Sequence, residues 1–139
     1  MKTPIDNAKE LLQKAANDLI AGQATLATGK ALDTVCFHAQ QAVEKSLKAL
    51  LAVHDIEYPR RHDLDELIEL VRPLLPEIAS YETRINTLSP FAVEIRYDSI
   101  FDPSSKETDE ALRFAVEFHA FVNNVVEAKI SGNQNVAEM

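Results

Sequence analysis

The chain of 139 residues contains one cysteine, no tryptophan and only three glycines. Each scarcity excludes something. A lone Cys36 cannot close an internal disulfide or build a cysteine-rich zinc site, and a free cysteine usually behaves as a small buried hydrophobe. Three glycines and six prolines are too few for a turn-rich β sandwich, whereas 46% hydrophobic and 26% charged residues suit a folded helical domain. No run approaches the roughly 18 apolar residues that cross a bilayer. The N-terminal MKTPIDNAKE has no apolar leader core, so the expectation is a cytoplasmic protein with no membrane partner. There is neither a Gly-rich phosphate loop nor a His-Glu-x-x-His run, and the four histidines stand scattered at 38, 54, 62 and 119. No metal site and no cofactor is expected from such spacing. A net charge of −8 also disfavours broad, sequence-independent nucleic-acid binding, which needs several cations per site.

What is present is helical periodicity. Ala8, Leu11, Leu12, Ala15, Ala16 and Leu19 recur at spacings of three and four, predicting an amphipathic helix from residue 4 to about 21, ended at Gly22. The strongest pattern runs from Leu32 to His54, with Cys36, Ala39, Val43, Leu47 and Leu50 inward, and Pro59 bars its continuation. Asp63 with Glu66 reads as a cap opening a short helix through about Val71. A longer helix is predicted from Pro76 to Tyr97, with Ile78, Ile85, Leu88, Ala92 and Ile95 among its buried residues, broken or kinked at Pro90. Ser104 with Glu107 repeats the capping signal before a last helix to about Ile130, and residues 131–139 read as a frayed tail. The expected architecture is one all-α domain over residues 1–130: an antiparallel up-and-down bundle of four long helices and one short one.

Three polar clusters are candidates for chemistry. His38, Gln41, Lys45 and Lys48 lie three, four and three residues apart on the second helix, with Gln40 and Glu44 beside them. Residues 36–62 hold four basic and three acidic side chains, the least acidic long stretch of the chain. That row either meets a phosphate or a partner's carboxylates, or is an ordinary solvated face. Arg60, Arg61 and His62 precede a helix N-terminus, whose free N–H groups favour an anion. Arg96 and Tyr97 end the fourth predicted helix, an Arg–aromatic pair suited to a phosphate or base, or to capping the last carbonyls.

The run from Cys36 to Leu51, with Gln40, Gln41, Glu44, Lys45 and Lys48, followed by RRHDLDELIEL at 60–70 and RYDSIF at 96–101, resembles the HEPN (higher eukaryotes and prokaryotes nucleotide-binding) domain family. The resemblance covers about residues 5–130. It implies a bundle of about five helices, commonly a homodimer, often encoded beside a minimal nucleotidyltransferase in a toxin–antitoxin-like pair. On that footing the expected function is a nucleotide- or phosphate-ligand-binding module, with His38, Gln41, Glu44, Lys45, Lys48, Arg61, His62, Arg96 and Tyr97 as the ligand site. Some members are metal-independent ribonucleases, whose signature is an Arg followed four to six residues later by His.

In this chain the corresponding arginine is Arg96, and residues 100, 101 and 102 are Ile, Phe and Asp, none of which replaces histidine. A formal match, Arg113 with His119, lies within the last helix, where six residues turn the side chains about 120° apart. A ribonuclease would therefore use Arg113 with His119, or Arg96 with His62 brought across a dimer. A third reading is a structural adaptor with an inert polar row. Phe91, Phe101, Phe114 and Phe121 are apolar residues left over for a dimer interface.

Overall fold

Thr3 opens the first helix with a reciprocal cap: its hydroxyl accepts from the Asp6 N–H, and the Asp6 carboxylate accepts from the Thr3 N–H, both at 3.1 Å. Pro4 takes the first helical position, where its missing N–H costs no hydrogen bond. The computed structural model describes residues 1–58, 63–92 and 102–138, with side chains through residue 132.

Helix α1, Pro4–Leu26, does not stop at Gly22 as the sequence reading expected. A side chain at Gly22 would put its Cβ 3.1 Å from Leu112 Cδ1 and 3.6 Å from His38 Cβ. The glycine is there for close helix packing rather than for termination. The chain turns instead through Gly29, at φ +71°.

Helix α2, Leu32–Val53, is buried on most of its circumference, and the predicted inward row of Cys36, Ala39, Val43, Leu47 and Leu50 is at most 1% exposed. Helix α3, Leu64–Val71, starts where Asp63 accepts from the Glu66 N–H at 3.3 Å. It lays Leu64, Leu67, Ile68 and Val71 on the core.

The long helix expected over 76–97 is replaced by pieces: a 3₁₀ turn at Pro76–Ser80, helix α4 at Glu82–Asn86 and a 3₁₀ turn at Ser89–Phe91, after which residues 93–101 lie outside the described residues. Pro76 at the first position of one 3₁₀ turn and Pro90 at the second position of the other each remove a donor that a continuous helix would need. Burial nevertheless follows the predicted stripe at Ile78, Ile85 and Leu88.

Helix α5, Ser105–Glu138, opens on the expected capping box, with Ser104 N–H donating to Glu107 Oε1 at 3.2 Å and Glu107 N–H to Ser104 Oγ at 3.0 Å. It continues beyond Ile130 through residues 131–138, which the sequence reading assigned to a frayed tail.

Named contacts fix the directions. Asp18 and Gly22 of α1 face residues 35–45 of α2, so these helices are antiparallel. Leu12 meets His119 and Gly22 meets Leu112, so α1 and α5 are antiparallel too. Cys36 meets Thr108, near the start of both α2 and α5, which therefore run the same way. Arg84 pairs with Glu117 while Phe91 lines the same hollow as Glu107, so the third leg returns against α5. Among the described residues the result is the expected all-α, five-helix, up-and-down bundle, but with three long helices and a third leg assembled from short ones. No strand occurs among the described residues.

Candidate functional site

The polar row of α2 is neither a solvated face nor an open row of cations. Asp18, on α1 and 9% exposed, accepts from His38 Nδ1 at 2.9 Å and from Lys45 Nζ at 2.5 Å. One carboxylate thus holds both ends of the seven-residue interval along α2. The next part of the row is a hydrogen-bonded chain. Gln41 Nε2 donates to Gln40 Oε1 at 2.7 Å, Gln40 Nε2 to Glu44 Oε1 at 3.3 Å, and Lys48 Nζ to Glu44 Oε2 at 3.1 Å. Gln40 and Glu44 are almost completely buried, so the carboxylate needs this ammonium beside it. Lys48 also stands 5.5 Å from the centre of the Tyr58 ring. No buried side-chain nitrogen or oxygen lacks a partner among the described residues.

Sequence reasoning found the row but missed Asp18. Its only signal was an acidic residue between Ala16 and Leu19 of the α1 stripe, a pattern shared with solvated aspartates. The other proposed ligand residues, Arg61, His62, Arg96 and Tyr97, lie outside the described residues.

The formal ribonuclease pair does not converge. Arg113 is exposed and its Nε donates to Asp109 at 2.9 Å, one turn back on the same helix. His119 points to α1, where its Nε2–H donates to the Leu12 carbonyl at 3.0 Å. His54 is likewise tied to backbone, its Nδ1–H donating to the Leu50 carbonyl at 2.7 Å. Cys36 is buried, its thiol pushed above the usual range by burial, and its S–H contacts Thr108 Oγ1 at 3.6 Å. That is a core cysteine, not a nucleophile. No group of three or more His, Cys, Asp or Glu is placed to hold a metal among the described residues.

A hollow of about 610 Å³ lies between the third leg and the first turns of α5. Its floor is Leu88, Phe91, Ala111 and Phe114. Arg84 flanks it, its guanidinium 4.7 Å from the Phe114 ring centre and 5.5 Å from that of Tyr81, and bonded to Glu117 at 2.7 Å. Tyr81 also packs on Phe118 and Phe121, with centroids 5.5 and 4.6 Å away. Phe91 and Phe114 are buried and Phe121 half-buried, so the aromatics set aside for a dimer face are largely used inside the protomer. Phe101 lies outside the described residues. A second hollow, about 400 Å³, sits at the end of α2 and is lined by Asn7, Asp55, Ile56, Glu57 and Tyr58.

No helix among the described residues is long and apolar enough to cross a membrane. Neither a curated protein nor a solved structure matches the chain significantly. The family model for the HEPN domain matches residues 8–125, a span that takes in the α2 row, the third leg and most of α5. The chain therefore belongs to the HEPN domain family, whose members are nucleotide-binding and ribonuclease-like helical modules.

Proposed function

We propose that this chain is a cytoplasmic, homodimeric HEPN module that binds a nucleotide or another phosphate-bearing ligand and acts with a minimal nucleotidyltransferase in a toxin–antitoxin-like pair. Family membership over residues 8–125 is the observation that carries this reading. The state of the lysines is compatible with it. An ammonium group has three donors, and the bond to Glu44 uses one of those on Lys48. A phosphate at the outer side of Lys48, or of Lys45, can accept a remaining donor while each buried carboxylate keeps its partner. Next along the chain from Tyr58 come Arg60, Arg61 and His62, which would add positive charge. Titration with ATP, GTP and short RNA tests the ligand half: perturbation of Lys45 and Lys48 resonances, and weaker binding by Lys48→Ala, are expected. No perturbation at millimolar nucleotide would remove it. Sedimentation tests the dimer, since a 15.5 kDa monomer throughout the micromolar range is incompatible with it.

The adaptor reading is favoured by one specific observation, the internal pairing of the row: His38 and Lys45 on Asp18, Lys48 on Glu44. It predicts a stable complex with the nucleotidyltransferase that forms unchanged without nucleotide. Co-purification with and without ATP separates the two readings. A ribonuclease reading would rest on Arg96 and His62, and predicts metal-independent RNA cleavage that His62→Ala abolishes.

A further inference from the structure

The hollow against α5 combines an apolar floor with an acidic surround. Glu107, Glu110 and Glu117 line it, and Asp109 stands just outside. The two cations that line it are already engaged, Arg84 with Glu117 and Arg113 with Asp109. Glu107 spends one oxygen on the Ser104 N–H, and neither Glu107 nor Glu110 has a cationic partner among the described residues. Residues 102–117 carry five carboxylates against Lys106 and Arg113. The fixed charge facing an occupant is thus negative, so a phosphate or nucleic-acid backbone meets repulsion here. A small neutral ligand would cover Leu88 and Phe114 but leave Glu110 uncompensated.

Shape narrows the choice. From Glu107 to Glu117 the α5 wall is ten residues long, about 15 Å, which matches roughly three turns of a second helix. A helix laid in such a groove uses apolar side chains at spacings of three and four as anchors. A second copy of this chain meeting the first groove to groove is a poor occupant, because a two-fold contact would set the same five carboxylates and two cations of residues 102–117 against each other. Among the described residues the large apolar side chains it exposes, Met1, Ile20 and Val116, are single residues at the N-terminus, on α1 and on α5.

We infer that the groove between the third leg and α5, floored by Leu88, Phe91, Ala111 and Phe114 and edged by Glu107, Glu110 and Glu117, docks a basic amphipathic helix from a partner protein. Apolar anchors of that helix fill the floor and its flanking Lys or Arg meet Glu107 and Glu110. The inference does not depend on nucleotide binding at α2 and survives if that fails.

The probe is a fluorescein-labelled 16-residue helical peptide with Leu at i, i+3, i+4 and i+7 and Lys flanking them. Its control has Glu in place of each Lys, and fluorescence anisotropy with the full chain reads binding. Expected results are micromolar binding of the Lys peptide that weakens as salt rises, and none of the Glu peptide. Glu110→Lys, an exposed and unpaired position, should weaken binding about tenfold or more. Ala111→Phe, which fills the floor, should abolish it. Circular dichroism checks that both variants remain folded, and Glu110→Lys suffices alone if Ala111→Phe does not. Equal binding of both peptides, binding indifferent to Glu110→Lys, or no binding of the Lys peptide would overturn the inference. So would self-association of the chain through this face, seen as a dimer that Glu110→Lys dissolves.

Discussion

Asp18 of α1 grips Lys45 of α2 at 2.5 Å while its other oxygen receives His38 Nδ1, so one nearly buried carboxylate ties two side chains of α2 to the first helix. The three side chains are between 11% and 26% exposed, which places the cluster between a surface pair and a buried one. Asp18→Ala leaves Lys45 without its counter-charge and His38 without its acceptor, and is expected to cost about 1–3 kcal/mol, below the full value for breaking a buried pair. Urea unfolding reads this directly. A double-mutant cycle with Lys45→Ala should show coupling well above that of an exposed pair.

Gly22 marks the close approach of α1 to α5. Gly22→Ala gains about 1 kcal/mol of helix propensity. Against that, its Cβ forces the flexible tip of Leu112 to give by a few tenths of an ångström. The two effects nearly offset, so thermal unfolding should move little. Gly22→Leu adds volume where no tip can move far enough, and a loss of about 1–3 kcal/mol is expected.

The Thr3–Asp6 cap makes the acid limb of stability predictable in sign. Hydrogen bonds from the Thr3 N–H and hydroxyl hold the Asp6 carboxyl below its ordinary value, and the Arg72 guanidinium does the same for Glu82. Each group binds its proton more weakly folded than unfolded. The contribution is therefore complete above the unfolded value, near pH 4, and fades as pH falls through the lower folded value. Asp6→Asn should flatten the loss of urea midpoint between about pH 5 and 2. Thr3→Ala should lower stability by about 1 kcal/mol at neutral pH.

His119 is engaged at the α1–α5 contact, its Nε2–H donating to the Leu12 carbonyl. Removing its bond to the Leu12 carbonyl should cost about 0.5–1.5 kcal/mol. If the wild-type chain cleaves RNA, His119→Ala corrected for folded fraction should cleave at the same rate. A loss of cleavage in fully folded His119→Ala would contradict the geometry in which Arg113 and His119 diverge.

Much of the fold was legible because helices are local. The stripe Cys36, Ala39, Val43, Leu47, Leu50 and the pair Ser104 with Glu107 are written within one or two turns of chain, and both appear as read. The family resemblance was also legible, since it rests on contiguous runs such as Gln40 to Lys45 within the matched span. Misreadings arose where a residue had a long-range reason. Gly22 looked like a stop until Leu112 explained it, and the stretch after Pro76 kept the right buried residues but not a continuous helix.

The all-α bundle, its long amphipathic helices and its family are legible along the chain, because periodicity and caps depend on neighbours within a few residues. What the polar side chains of α2 do depends on contacts between helices. The carboxylate that neutralises Lys45 comes from Asp18, 27 residues away, and Glu44 and Gln40 are sealed by packing that no spacing along one helix records. The same holds for the acidic groove: its edge lies on α5, but its floor exists only because the broken third leg returns beside it.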